Sequence, residues 1–198
     1  MLKFLLPFLG LLFSLSSFAF SLSKTVYNNA DLAFIKHEGN GAFDSYLSMD
    51  VRYAPVKELF KSVVKSERKE LKTRGEAHIT VITPVEYFEV LKSKVSMKEI
   101  NEIAVKSSIQ SSTFKVICLG KGALKNDETY FIVVNSMDLL QIRKKVQKLF
   151  ETRGGTQGSF MAEHFFPHIT LGFTTRDLHE ADGVIKNDKS CMADIDIL

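Results

Sequence analysis

Two stretches constrain this chain more than any other: Ala77-His78-Ile79-Thr80-Val81-Ile82 and Pro167-His168-Ile169-Thr170-Leu171-Gly172-Phe173, about ninety residues apart. Side chains alternate faces along a strand, so residues i and i+2 point the same way. His78 and Thr80 therefore share one face, and His168 and Thr170 share another. Ile79, Val81, Ile169 and Leu171 turn to the opposite faces, as core anchors. Twice, the chain presents an imidazole beside a hydroxyl on an otherwise apolar strand.

The surrounding pattern predicts a mixed fold. Tyr46 to Tyr53 alternates Leu47, Met49, Val51 and Tyr53, the period of a half-buried strand. Pro55 opens a helix in which Leu59, Phe60, Val63, Val64 and Leu71 recur, with a charged, solvated outer face. Thr83-Pro84-Val85-Glu86 and Ser96-Met97-Lys98-Glu99 are both capping boxes. Phe114 to Leu119 reads as a strand ended by Gly120-Lys121-Gly122, followed by a turn at 125–128. Tyr130 to Val134 is apolar on both faces, hence central. Ser136 caps a helix carrying Leu139, Ile142, Val146 and Leu149, which Gly154-Gly155 ends. Thr156 to Glu163 is a loop, and Asp177-Leu178-His179-Glu180 a surface turn or short helix. Helices and strands mix without strict alternation, so the fold class is α+β.

At 198 residues, 45% apolar and 25% charged, the chain can bury one sizeable core. A net charge of +3 is too small to announce a nucleic-acid-binding surface and is compatible with a small anionic substrate. The N-terminus reads as a secretory signal over residues 1–21: Lys3, an apolar run from Phe4 to Phe13, then a Ser-rich stretch. Ser17-Phe18-Ala19 permits cleavage after Ala19, with Ser21 and Ser23 as alternatives. The protein is then secreted or periplasmic, without stable membrane association. An uncleaved anchor is the alternative, against which the shortness of the apolar run argues. Residues 22–45 form an extended lead-in, 46–186 the domain and 187–198 an irregular tail. Export allows a disulfide between Cys118 and Cys191, while the apolar run around Cys118 suits a buried free thiol equally well.

Two imidazoles flanking a cleft suit phosphodiester chemistry. One activates a nucleophile, the other protonates the leaving oxygen, and hydroxyls hold the non-bridging oxygens. Histidine serves either role, its unperturbed pKa being about 6.5. No metal and no cofactor is required. A metal site using both motif histidines, His78 and His168, lacks a third ligand motif nearby; His164 and His168 are spaced i, i+4, but Pro167 directly before His168 argues against a helix there. His37 and His179 lie in polar surroundings, as surface residues do. Neither Gly-rich phosphate loop, nor C-x-x-C, nor H-E-x-x-H occurs.

Paired His-x-Thr strands in this order resemble the two-histidine (2H) phosphoesterase superfamily, which includes the LigT-like RNA cyclic phosphodiesterases. The wording from Arg74 to Pro84, with Cys118-Leu119-Gly120 between the motifs, is most similar to the "Swiss Army knife" RNA-repair-like branch. The resemblance implies a pseudo-symmetric, two-lobed fold with antiparallel-rich sheets around a cleft and helices outside. It implies His78 and His168 as the acid–base pair, Thr80 and Thr170 as phosphate holders, and Arg74 as an extra phosphate contact. It further implies a phosphodiesterase opening 2′,3′-cyclic phosphates on RNA ends or nucleotides, and it implies nothing about a protein partner. Activity on 2′–5′ linkages and a non-catalytic nucleotide-binding module are the alternatives. Beyond the resemblance, the motif residues could be plain strand residues of an interaction protein.

Overall fold

The computed structural model describes residues 19–39, 41 and 43–198. The expected signal segment lies outside the described residues up to Phe18. The elements run β1 (Phe20–Leu22), β2 (Leu47–Asp50), α1 (Tyr53–Glu67), β3 (His78–Ile82), α2 (Met97–Lys106), β4 (Lys115–Leu124), β5 (Asp127–Asn135), α3 (Met137–Thr152), β6 (His168–Phe173), β7 (Cys191–Ala193) and β8 (Ile195–Ile197). A six-stranded sheet has the order β2-β3-β6-β5-β4-β7, and its pairings are all antiparallel. A second, two-stranded sheet pairs β1 with β8 in parallel.

The pseudo-symmetry is visible in the connectivity. A strand, a helix and a histidine strand recur as β2–α1–β3 and β5–α3–β6, and within each unit the two strands pair. The units join where β3 meets β6, with Ile79 opposite Ile169. Both isoleucines are fully buried. Around them pack Leu47, Met49, Val81 and Leu171 from the sheet, Val56, Leu59 and Val63 from α1, and Leu139, Ile142 and Val146 from α3. One face of the sheet is thus committed to the helices, which leaves the other to carry the histidines.

Both capping boxes form. Glu86 accepts from the Thr83 amide at 2.8 Å while Thr83 accepts from Glu86 at 3.1 Å, and Ser96 and Glu99 do likewise. Glu86 has a second task, pairing with Arg143 of α3, a residue 1% exposed. The Arg143 guanidinium also donates to the carbonyls of Val81, Met161, Ala162 and His164 at 2.7–3.0 Å. It lies between the Phe160 and Phe165 rings. One buried cation therefore ties the loop that leads into β6 to the end of β3, satisfying its charge with a carboxylate and oriented carbonyls.

Several boundaries move. Tyr53 begins α1 rather than ending the preceding strand. The helix stops at Glu67, where Arg68 turns left-handed at φ 52° and Leu71 reaches the core from an extended segment. Gly120 and Gly122 do not end the strand; they lie inside β4, and a Cβ at Gly120 would collide with the Phe131 ring across the ladder. Residues 187–198 are not irregular: they hold a 3₁₀ turn at Asp188–Ser190, then β7 and β8. Nor is the lead-in simply extended, since Lys24–Tyr27 is a 3₁₀ turn with Val26 buried. Cys118 and Cys191 form a disulfide. Among the described residues no helix is long and apolar enough to cross a membrane.

Candidate active site

Along β3 and β6 the alternation is as expected: His78, Thr80, His168 and Thr170 are half-buried, whereas Ile79, Val81, Ile169 and Leu171 are buried. The antiparallel register then dictates the layout. With Ile79 opposite Ile169, each histidine lies across from the other strand's threonine, His78 from Thr170 and Thr80 from His168. The two histidines are diagonal neighbours, their residue positions roughly 7–8 Å apart on a regular ladder, and both rings leave the sheet on the same side. All four polar groups share the face away from the helices.

The same face extends over both flanking strands. On β2, Asp50 lies opposite His78 and Ser48 opposite Thr80. Ser48 is buried, and its hydroxyl has no partner among the described residues. On β5, Phe131 lies opposite Thr170 and Val133 opposite His168, and Cys118 of β4 lies opposite Val133. Phe131, Val133 and Cys118 form a small apolar cluster of their own. Its ring edge approaches His168, with centroids 5.9 Å apart.

Each histidine has a distinct partner. His168 Nδ1 is 2.8 Å from the Phe166 carbonyl. A carbonyl only accepts, so Nδ1 carries the proton and Nε2 is the free nitrogen of the neutral ring. Burial lowers the pKa of His168, and the Lys186 cation lowers it further. His78 Nδ1 is 3.5 Å from a Glu76 carboxylate oxygen, and the ring is only 14% exposed. Burial lowers its pKa as well, with Glu76 acting against the shift. Tyr46 packs 6.2 Å from the His78 ring and stacks on His37 at 4.0 Å. His37 is therefore half-buried at the rim rather than a surface residue.

Arg74 reaches the site from the turn before β3 and donates to Asp177 Oδ2 at 3.2 Å. Asp177 was expected in a surface turn, but it is 8% exposed and Leu178 is fully buried. Its carboxylate accepts from Thr170 at 3.2 Å, Thr129 at 2.7 Å and Lys186 at 2.8 Å. His179 Nε2 stands 4.0 Å from the same group, its ring mostly exposed. Burial raises the Asp177 carboxyl, yet Lys186 and Thr129 outweigh this and hold it below the usual carboxylate range. Asp177 and Lys186 escape a motif reading. The signal was a lysine directly after the apolar pair Val184-Ile185 and a carboxylate four residues past β6. His164 takes no part: it is exposed and bonds Glu180 at 2.8 Å. Among the described residues no cluster of three or more His, Cys, Asp or Glu side chains has metal-ligating geometry.

An antiparallel sheet that brings two His-x-Thr strands side by side on its open face has the form of a two-histidine phosphoesterase. The family model described as "Swiss Army Knife, 2H phosphoesterase domain" matches residues 45–179, and the chain belongs to that family. Neither the curated proteins nor the solved structures yield a match.

Proposed function

We propose that this protein is a metal-independent phosphodiesterase that hydrolyses 2′,3′-cyclic phosphates on nucleotides or RNA ends. The observation that carries the reading is the crossed layout, in which each histidine faces the other strand's threonine across one open face. A cyclic phosphate seated there would have an imidazole on either side of phosphorus. One histidine removes a proton from water as its oxygen attacks phosphorus. The bond to the 2′ or 3′ oxygen breaks, and the other histidine gives that oxygen a proton. The product is a monoester, water is consumed, and proton exchange with solvent restores both rings. Thr80 and Thr170 donate to the non-bridging oxygens as charge builds on them. Arg74 lies close enough to Thr170's partner Asp177 to add a cation at the rim.

The test is turnover of a panel of 2′,3′-cyclic mononucleotides and a cyclic-phosphate-ended RNA with EDTA present. Conversion to monoester that survives chelation is the expected result. A folded protein inert on the whole panel would remove the cyclic-phosphate substrate, and 2′–5′ linked oligonucleotides would be tried next.

We also infer that the chain is exported and that its signal is cleaved after Ala19. Cleavage after Ser21 would cut β1, and cleavage after Ser23 would remove it. Phe20 is 4% and Leu22 1% exposed, and β1 is closed onto the C-terminus by the Leu198 N–H donating to the Leu22 carbonyl at 3.0 Å. Burying a side chain of this size contributes roughly 1.5–3 kcal/mol, so loss of Phe20, or of Phe20 and Leu22 together, would weaken the fold. The disulfide supports an oxidising compartment. Intact mass and N-terminal sequencing of the exported protein should find Phe20 first; a chain beginning at Leu22 or Lys24 would contradict this.

A further inference from the structure

Lys186 has no role in the chemistry above, and it lies beyond the residues that match the family. Its side chain is 3% exposed, paired with an Asp177 side chain that is 5% exposed. Taking both charges out of water is costly, and an apolar pair could fill such a space without that cost. The location gives the pair a purpose. Lys186 Nζ lies 5.3 Å from the centre of the Phe131 ring, the same ring whose neighbour on the other strand is His168. The charged and titratable groups facing His168 are Lys186, Asp177 and His179 from the C-terminal segment and His78 from β3. The β5 and β4 neighbours, Phe131, Val133 and Cys118, are apolar.

We propose that Asp177 and Lys186 are positioning residues of this site, Asp177 by holding the Thr170 hydroxyl and the Arg74 guanidinium, and Lys186 by holding Asp177 and fixing a positive charge beside His168. The inference rests on the two-histidine reading of the cleft. A threonine hydroxyl has one proton. Thr170 donates it in a hydrogen bond to Asp177 Oδ2; with a phosphate bound, the hydroxyl turns to donate to the phosphate. Asp177 can release it because Thr129 and Lys186 still satisfy the carboxylate. Without Lys186, only Thr129 and the half-exposed Arg74 would remain on the carboxylate, with no buried cation to balance its charge. The fixed cation meanwhile disfavours a second positive charge on His168. It keeps that ring neutral with Nε2 free, the form a general base needs.

The test is histidine ring NMR titration, alongside the pH dependence of cyclic-nucleotide turnover, in wild type, Lys186→Met, Lys186→Arg and Asp177→Asn. Wild-type His168 should titrate below the ordinary histidine range. In Lys186→Met its proton affinity should rise about tenfold or more, which is one pKa unit, and one limb of the turnover profile should move up with it. Lys186→Arg should stay near wild type, because the charge is kept. Asp177→Asn should raise KM about tenfold through the loosened Thr170 and Arg74. A His168 titration unmoved in Lys186→Met, or displaced equally in Lys186→Arg, would overturn the proposal. Should Lys186→Met fail to fold, a wild-type His168 near 6.5 would overturn it as well. An inert wild type would sink the cyclic-phosphate substrate and leave the ring titrations to decide this inference separately.

Discussion

Replacing His168 with alanine is expected to lower kcat/KM on a cyclic phosphate by roughly 10²–10⁴-fold, the range of a lost general acid or base. His78→Ala should do the same. The double variant should be little worse than either single one, because the two rings act as a unit on one transferred phosphoryl group. Folding should survive each change, since both rings sit on the open face and the core beneath is made by Ile79 and Ile169. The pH profile adds a sharper expectation. Burial lowers both histidines from their ordinary value, His168 further through Lys186 and His78 less through Glu76. The active form needs one ring protonated and the other neutral. In the free enzyme that form is most populated between two lowered pKa values, so the optimum of kcat/KM should lie on the acid side of 6.5. A bound anionic phosphate favours the protonated ring, so the optimum of kcat, which reports the complex, should lie at higher pH. Equal optima near neutral pH would contradict the burial argument. Full turnover in His168→Ala would contradict the mechanism itself.

The part of this site legible in the sequence was the part with a local period. His78-Ile79-Thr80-Val81 and its counterpart alternate faces within a few residues, and their surroundings resemble one family closely enough that its branch could be named before any geometry. What local pattern does not hold is partnership across the fold. Asp177 meets Thr129 and Arg74 only because β5, the turn before β3 and the segment after β6 converge on one face. A carboxylate four residues past β6 marks a candidate, but its position in a polar run does not tell which distant residues it meets. Three-residue strands such as β1, β7 and β8 carry too little alternation to be recognised, and they form because a distant strand offers a partner. Gly120 and Gly122 illustrate the converse error. Read locally they end a strand, whereas the Phe131 ring on the neighbouring strand demands a residue without a Cβ at Gly120 while the ladder continues. The single sheet joining the two units also depends on such distant pairing: β3 and β6 are separated by most of the domain and meet at one named residue pair.

The Cys118–Cys191 disulfide should matter to stability and turnover together. It closes a separation of 73 residues, for which loss of the cross-link releases roughly 4 kcal/mol of chain entropy in the unfolded state. In a domain of this size that corresponds to a fall in Tm on the order of 10 °C. Its position links this to the site. Cys118 stands two strands from His168 on the same face, through Val133, and Cys191 follows Lys186 by a few residues on the strand that edges the sheet. The bridge therefore fixes the C-terminal end of the segment that carries Asp177, His179 and Lys186, while β6 fixes the other end. Cys191 is exposed and Cys118 buried, so a reducing thiolate has a path to the Cys191 sulfur. Reduction, or Cys191→Ser, is expected to lower Tm by that amount. It should also weaken turnover at temperatures well below the new Tm, with the His168 titration drifting up as Lys186 loses its fixed place. Thermal unfolding, turnover and ring titration with and without dithiothreitol would decide it. If turnover and the His168 titration stay put while Tm falls, the bridge acts on the unfolded chain alone and β7 holds its segment without it.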